Sequence, residues 1–251
     1  MRGDGLGIHH PTNHTFEFLL GAGWLAYLGC SLAYLVAATL LVSIVPRRLA
    51  LMIALACIFG HYFGASNWLA SRWRTGFGGT LGYGTFLSYI LGLAISDADD
   101  LAGPAAGRRL RWVMMMVIAA DFTVTLLGQP ASFWPHPETC REGDAVVRVF
   151  LSRGWAPFLA LTLTYASFMF SLATRLPRTP GLICALSVIF CHFAAVSNWL
   201  FYEWRLGMES PVLYGLLLAV AIVAGLDCHR AQPETPAPSQ FSASRRFSLC
   251  S

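Results

Sequence analysis

Two histidines and one aspartate, His61, His192 and Asp121, each fall inside a long apolar stretch of the sequence. Ionisable side chains at such depth in a membrane are rare, face the bundle interior and mark ion pathways, proton relays or ligand sites. An imidazole from each half of the chain can ligate a haem iron or another metal from opposite sides. The same two imidazoles can relay protons or bind a solute, or each can hydrogen-bond within its own bundle and hold helices together. Asp121 offers a carboxylate partner for a histidine in a relay, or a hydrogen bond to a neighbouring helix. No other His, Cys or carboxylate recurs one turn from both histidines, so the pattern does not predict a multi-ligand metal centre.

Toward one end of the same stretches lie Asn67-Trp68 and Asn198-Trp199. A primary amide donates and accepts hydrogen bonds, which suits a sugar, an amide or a polar headgroup, and an adjacent indole can stack on a solute. The alternative is a helix end anchored by an interfacial Trp. Arg72 and Glu203 occupy matching positions and are expected either to pair across the two halves or to stand as separate solvated charges. His9, His10, His14 and His136 lie in polar segments where a surface metal site is conceivable, and Asn13-His14-Thr15 fits a glycosylation sequon close to the membrane. Asp97, Asp99 and Asp100 read as a solvated loop. Arg245-Arg246-Phe247-Ser248 matches a short basophilic phosphorylation pattern of a kind common by chance.

Helices must position these groups. The chain of 251 residues is 56% hydrophobic and only 12% charged, about half the charged fraction usual in soluble domains. Charge-free runs span 18–45, 49–71, 75–96, 154–174, 179–202 and 210–226, and a seventh, 112–129, is interrupted only by Asp121. Each is about the length that crosses a bilayer as a helix. None alternates as a barrel strand would, and lipid leaves backbone groups no partner outside helices or closed barrels. The first run is longer than the apolar core of a signal peptide and reads as the first membrane helix. The positive charge is all arginine, because the sequence holds no lysine. That rules out a retinal Schiff base, and the modest net charge reads as topology rather than nucleic-acid binding. Phosphate-binding glycine loops, Gly-x-Ser-x-Gly and His-Glu-x-x-His are absent. Cys30, Cys57, Cys184 and Cys191 read as small apolar packing residues, Cys140 as a loop thiol without a disulfide partner, and Cys228 and Cys250 as candidates for acylation.

The sequence repeats itself. A shift of 131 residues aligns 51–76 with 182–207 at thirteen identical positions of 26, including His61/His192, Ser66/Ser197, Asn67/Asn198, Trp68/Trp199, Trp73/Trp204, Arg74/Arg205 and Gly76/Gly207. The same shift pairs Gly23-Trp24 with Gly154-Trp155, Tyr34 with Tyr165, Pro46-Arg47 with Pro177-Arg178, and Tyr83-Gly84 with Tyr214-Gly215. Duplication explains this better than chance. The expected architecture is all-α, with seven transmembrane helices as two parallel three-helix repeats plus a linker helix, 3+1+3. The segments are 1–16, an outer N-terminal segment; 17–97, repeat 1; 98–129, an inner loop and linker helix; 130–153, an outer loop; 154–228, repeat 2; and 229–251, a disordered inner tail. One odd helix between the halves makes them enter from the same side, related by a pseudo-two-fold axis along the membrane normal. In topology this layout is similar to that of the SWEET sugar transporters; that family's Pro-Gln signature does not occur in the sequence, and no residue roles are carried over. Small residues recur at four-residue spacing in Ala56, Gly60, Gly64 and in Ser187, Cys191, Ala195, a pattern that predicts close helix packing. Ten arginines in one set of loops against seven in the other favour an outer N-terminus and a cytoplasmic C-terminus.

Three functions fit. The first is a multi-pass transporter or pore for a small polar solute or ion, with His61, His192 and Asp121 at the midplane and Asn67, Asn198, Trp68 and Trp199 lining a vestibule. The second is a membrane enzyme or redox protein that uses His61 and His192 as haem or metal ligands, or as acid and base on a lipid-soluble substrate. The third is an assembly or scaffolding subunit. No particular cofactor is indicated. The expected partners are the lipid bilayer and the solute, with a homo-oligomer left open.

Overall fold

A computed structural model describes residues 21–71, 73–97, 106–140 and 145–226. Eight α-helices are described: α1 (Trp24–Ile44), α2 (Arg47–Ser71), α3 (Gly76–Asp97), α4 (Ala106–Leu127), the short α5 (Ala145–Leu151), α6 (Trp155–Arg175), α7 (Arg178–Asn198) and α8 (Glu209–Leu226). A π-helical turn, Trp199–Glu203, continues α7, and two 3-10 turns, Ala131–Phe133 and Pro137–Thr139, lie between α4 and α5. No strand occurs among the described residues. Seven of the helices are long and apolar enough to cross a bilayer, so the chain is an integral, multi-pass membrane protein. Arg72, His9, His10, His14, the sequon at Asn13, Asp99, Asp100, Cys228, Cys250 and the tail with Ser248 lie outside the described residues.

Helix ends follow from local chemistry. Gly23 and Gly154 precede α1 and α6 with φ of 101° and 112°, values that only glycine adopts easily. Before Pro46 and Pro177, α1 and α6 close with Val45 N–H donating to the Leu41 carbonyl at 3.3 Å and Leu176 N–H to the Leu172 carbonyl at 3.1 Å. Proline prolongs neither helix because its ring clashes with the preceding turn. At the opposite ends, Arg74 and Arg205 both adopt φ of 54°, the left-handed conformation that ends helices, here in a non-glycine residue. Trp73 N–H donates to the Trp68 carbonyl at 3.1 Å, and Trp204 N–H to the Trp199 carbonyl at 3.0 Å. The wide turn frees α2 and α7 to reverse direction within a few residues.

The chain divides into two units, Met1–Leu55 and Ala56–Ser251. The first holds α1 and the opening turns of α2. The second holds the rest, and its packing is described from here on. Within it α7 is the central element, touching α3, α4, α6 and α8, while α4 also packs on α6 and α8. The centre between α2 and α7 is aromatic. Phe59 meets Phe190 at 4.8 Å between ring centroids and Phe193 at 4.7 Å, and Tyr62 meets Phe190 at 5.1 Å. Two glycines allow α3 and α8 to close on this cluster. A Cβ on Gly84 would lie 2.7 Å from the Tyr62 hydroxyl and 3.4 Å from Phe190; one on Gly215 would lie 2.9 Å from Phe59 and 3.5 Å from Phe193. In lipid, where apolar surface gains little from burial, such interlocking supplies dispersion contacts that hold helices together.

A second cluster closes one end of the bundle. Phe133, Leu151 and Phe158 are buried together, with Phe122, Leu126, Cys140 and Val147 against them. The segment between α4 and α6 is therefore a packed cap rather than an open loop. Cys140 is a free thiol, as are Cys30, Cys57, Cys184 and Cys191.

Candidate functional site

Three helices bring one hydrogen-bonded chain of side chains together. Asp121 stands on α4, one turn beyond the buried Val117. His192 stands near the middle of the Arg178–Glu203 span, and Tyr165 near the middle of Trp155–Arg175. His192 Nδ1 lies 2.6 Å from Asp121 Oδ2, and Nε2 lies 3.0 Å from the Tyr165 hydroxyl. The side chains of His192 and Asp121 are 12% and 13% exposed. A carboxylate accepts but does not donate, so the Nδ1 proton points at Asp121. In the neutral imidazole Nε2 then accepts from the Tyr165 hydroxyl; in the imidazolium Nε2–H donates to it. Asp121 thus fixes the ring's orientation and tautomer, and Tyr165 meets the nitrogen that gains or loses the proton.

The surroundings are aromatic and sulfur-bearing. Phe122 lies 6.1 Å from the His192 ring and 6.3 Å from Tyr165, and it packs edge-on against Phe158 at 5.2 Å. Phe158 belongs to the cap, so the cap abuts the wall of the site. Cys191 and Cys184 stand within electrostatic reach of Tyr165. A weakly polar wall of this kind strengthens the electrostatic coupling within the Asp121–His192–Tyr165 chain.

The other expected site residues are scattered. His61 is on an exposed face of α2, unlike its counterpart His192. Trp68 is 61% exposed, while Trp199 is 7% exposed and seated on Gly128, just past the end of α4. Asn67 is half-buried: its Nδ2 donates to the Phe63 carbonyl at 3.1 Å, and its Oδ1 accepts from the Tyr202 hydroxyl at 3.3 Å. Asn198 is exposed. Glu203 is exposed at the end of the π-helical turn, and its expected partner Arg72 lies outside the described residues. The small-residue pattern also divides. Gly60 and Gly64 are exposed, whereas Ser187, Cys191 and Ala195 are half-buried.

Sequence reasoning missed Tyr165 as the third member. Its one sequence signal was a phenol at mid-span, paired by the 131-residue shift with Tyr34. It also missed two buried polar side chains at and just past the end of α4. Thr125 and Gln129 follow Asp121 at four-residue spacing and are buried, with Gln129 Nε2 donating to the Thr125 carbonyl at 3.0 Å. Among the described residues no three His, Cys, Asp or Glu side chains converge as a metal site would require. Compared with known proteins, the chain matches no family model, no curated protein and no solved structure.

Proposed function

We propose that this chain is a transporter for a small polar solute or ion, driven by a proton that resides on Asp121, His192 and Tyr165. The observation that carries the reading is the continuous pair of contacts at 2.6 and 3.0 Å, joining a carboxylate, an imidazole and a phenol from three separate helices. Ionisable groups inside a membrane are costly, pair with one another and mark ion or proton pathways. Movement of any of the three helices changes those distances, which couples helix geometry to proton affinity.

The aromatic centre supports a pseudo-two-fold relation between two parallel halves. Under the 131-residue shift, Phe59 exchanges with Phe190 and Tyr62 with Phe193. The contact Phe59–Phe193 at 4.7 Å then exchanges with Tyr62–Phe190 at 5.1 Å. Likewise Tyr62–Tyr83 at 5.6 Å exchanges with Phe193–Tyr214 at 5.5 Å. Gly84 and Gly215 exchange too, each against the equivalent pair of rings. An axis between Phe59 and Phe190 accounts for all of these, and rocking about such an axis is a known route to alternating access. With the arginine balance of the loops, the N-terminus is assigned to the outside and the C-terminus to the cytoplasm.

The haem or metal version of an enzyme fits less well. Both ring nitrogens of His192 are hydrogen-bonded, and ligation to a metal requires breaking one of those bonds.

The test is flux into proteoliposomes from a panel of labelled sugars, amino acids, amines and inorganic ions, under an imposed pH gradient. Uptake that follows the gradient and is abolished by Asp121→Asn and by His192→Gln is the expected result. No gradient-dependent uptake from any member overturns the reading. A visible haem band in the purified protein, removed by His192→Gln, would favour the redox alternative instead.

A further inference from the structure

The end of α7 departs from α geometry. Trp199–Glu203 is a π-helical turn, with Trp204 N–H donating to the Trp199 carbonyl at 3.0 Å. Such turns are rare and recur at functional sites. In an α-helix residues three apart share a face, so an uninterrupted α-helix would carry Tyr202 round toward the side of Trp199. The wider turn keeps them apart. Trp199 stays on Gly128, while Phe201 and Tyr202 reach α2. Phe201 meets Phe63 edge-on at 5.8 Å between ring centroids, and the Tyr202 hydroxyl donates to Asn67 Oδ1 at 3.3 Å.

These contacts join α2 to α7 beyond the aromatic centre. The 131-residue shift sets Ala70 and Ser71 at the positions of Phe201 and Tyr202, and Ala194 at that of Phe63. The rings that close this end therefore have no aromatic counterparts, whereas the centre is built from matched rings of both helices. The two levels also differ in firmness. At the centre, Gly84 and Gly215 let α3 and α8 interlock with those rings and leave no slack. At the end of α7 the closure is one neutral hydrogen bond and one ring pair, and Tyr202 is 42% exposed. Contacts of that size each shift an equilibrium about two- to tenfold, so they break and re-form readily. Near the other end of α7, Thr179 Oγ1 donates to Ser96 Oγ of α3 at 2.9 Å, a tie of the same neutral kind. A firm centre flanked by breakable ties is the arrangement of a pivot with gates.

We infer that the π turn of α7 is a gate, closed in this structure by Tyr202 on Asn67 and Phe201 on Phe63, that admits the polar solute between α2 and α7. The inference rests on reading the chain as a transporter. Opening breaks the Tyr202–Asn67 hydrogen bond and parts the two rings, and no covalent bond changes. The parted side chains then offer a phenol hydroxyl and an amide oxygen, groups that hydrogen-bond an entering solute in place of each other. His192 stands two helical turns before Trp199 on the same helix. Motion of the turn is thus carried along α7 to the contact with Asp121.

Fluorine NMR on the full chain in lipid nanodiscs tests the gate. Tryptophan is replaced by 5-fluorotryptophan, and the Trp204 resonance, at the end of the π turn, is assigned by its loss in Trp204→Phe. Saturation transfer reads the population of a minor, open state. Tyr202→Phe and Asn67→Ala break the same bond from opposite helices, and each should raise that population about two- to tenfold. The double variant should do no more than the larger single one, because only one bond is lost. Tyr202→Phe removes a single oxygen from an exposed side chain and so keeps the fold; if Asn67→Ala does not fold, Asn67→Ser takes its place on α2. An unchanged population in every variant overturns the gate. So does a response to Tyr202→Phe without one to the α2 variant, which marks a change confined to the turn. The two readings fail separately: a population shifted from both helices with no solute flux in the native protein sinks transport and leaves a moving turn. Proton-driven flux with Trp204 unresponsive sinks the gate alone.

Discussion

The α2 helix around His61 and the α7 helix around His192 share His, Ser, Asn and Trp at the same spacing and bury different amounts of their surface. On α2 the buried side chains are Phe59, Tyr62, Phe63 and Ser66, while His61 and Trp68 on the adjoining stripe are exposed. On α7 the equivalent face, Phe190, Phe193, Ala194 and Ser197, is buried too. But the adjoining stripe of Ala185, Ile189, Val196 and Trp199 is buried as well, with His192 nearly so. The cause is α4, which lies along that second stripe of α7 and brings Asp121 to the imidazole. Identical motifs thus acquire different chemistry from what packs on them. The helix outside the 131-residue match supplies Asp121, and with it the difference between the two histidines.

The largest effect expected from this contrast is at the histidines. Removing one member of a buried, hydrogen-bonded charge pair leaves the other without compensation and costs about 3 kcal/mol or more. His192→Ala should therefore lower stability by about that amount, measured by denaturant titration in mixed micelles. His61→Ala, on the exposed face, should cost clearly less than His192→Ala. Equal losses at the two sites would mean that the asymmetry between α2 and α7 is absent in the membrane.

The tryptophans should differ next. In lipid the loss on truncation is mainly packing rather than transfer from water, so Trp199→Ala is expected at the low end of the usual range for large aromatic side chains, about 3 kcal/mol. Trp68→Ala, removing a ring that is 61% exposed, should cost less than about 1 kcal/mol. The same denaturant titration reads both, and the ranking rather than either value is decisive.

Much of this was legible in the sequence, for identifiable reasons. The spans follow from the length of the apolar runs, since lipid permits little besides a helix. The breaks follow from Pro46, Pro177 and the glycines beside Trp24 and Trp155. Asp121 was visible as an acid in an apolar run, and its meeting with a histidine was among the expected possibilities. The choice between His61 and His192 was not legible, because a match by shift assigns both the same role. Only the three-dimensional position of α4 separates them, and nothing in the spacing of residues 51–76 or 182–207 encodes it. Tyr165 was hidden for a related reason. A tyrosine in an apolar run is ordinary until a second helix brings an imidazole to its hydroxyl. The cap between α4 and α6 was read as a loop because its 3-10 turns and the seven-residue α5 are too short to show a helical period.

Glycine substitutions probe the same asymmetry on a finer scale. A Cβ on Gly128 would run into the Trp199 ring and the Val124 carbonyl, one of them backbone that cannot yield. The ring must tilt or α4 must retreat from α7, and retreat lengthens the nearby Asp121–His192 contact. Overpacking of this kind costs about 1–3 kcal/mol, so Gly128→Ala should destabilise by about 1–2 kcal/mol. Gly60 on α2 meets no such obstacle, since its Cβ would enter open space, and Gly60→Ala should change stability by no more than about 1 kcal/mol, in the stabilising direction if at all. Opposite signs in the denaturant titration would show that α4 and α7 are locked at the level of Trp199. A neutral result at Gly128 would mean the two helices part there with little resistance, leaving the Asp121–His192 contact to hold them alone.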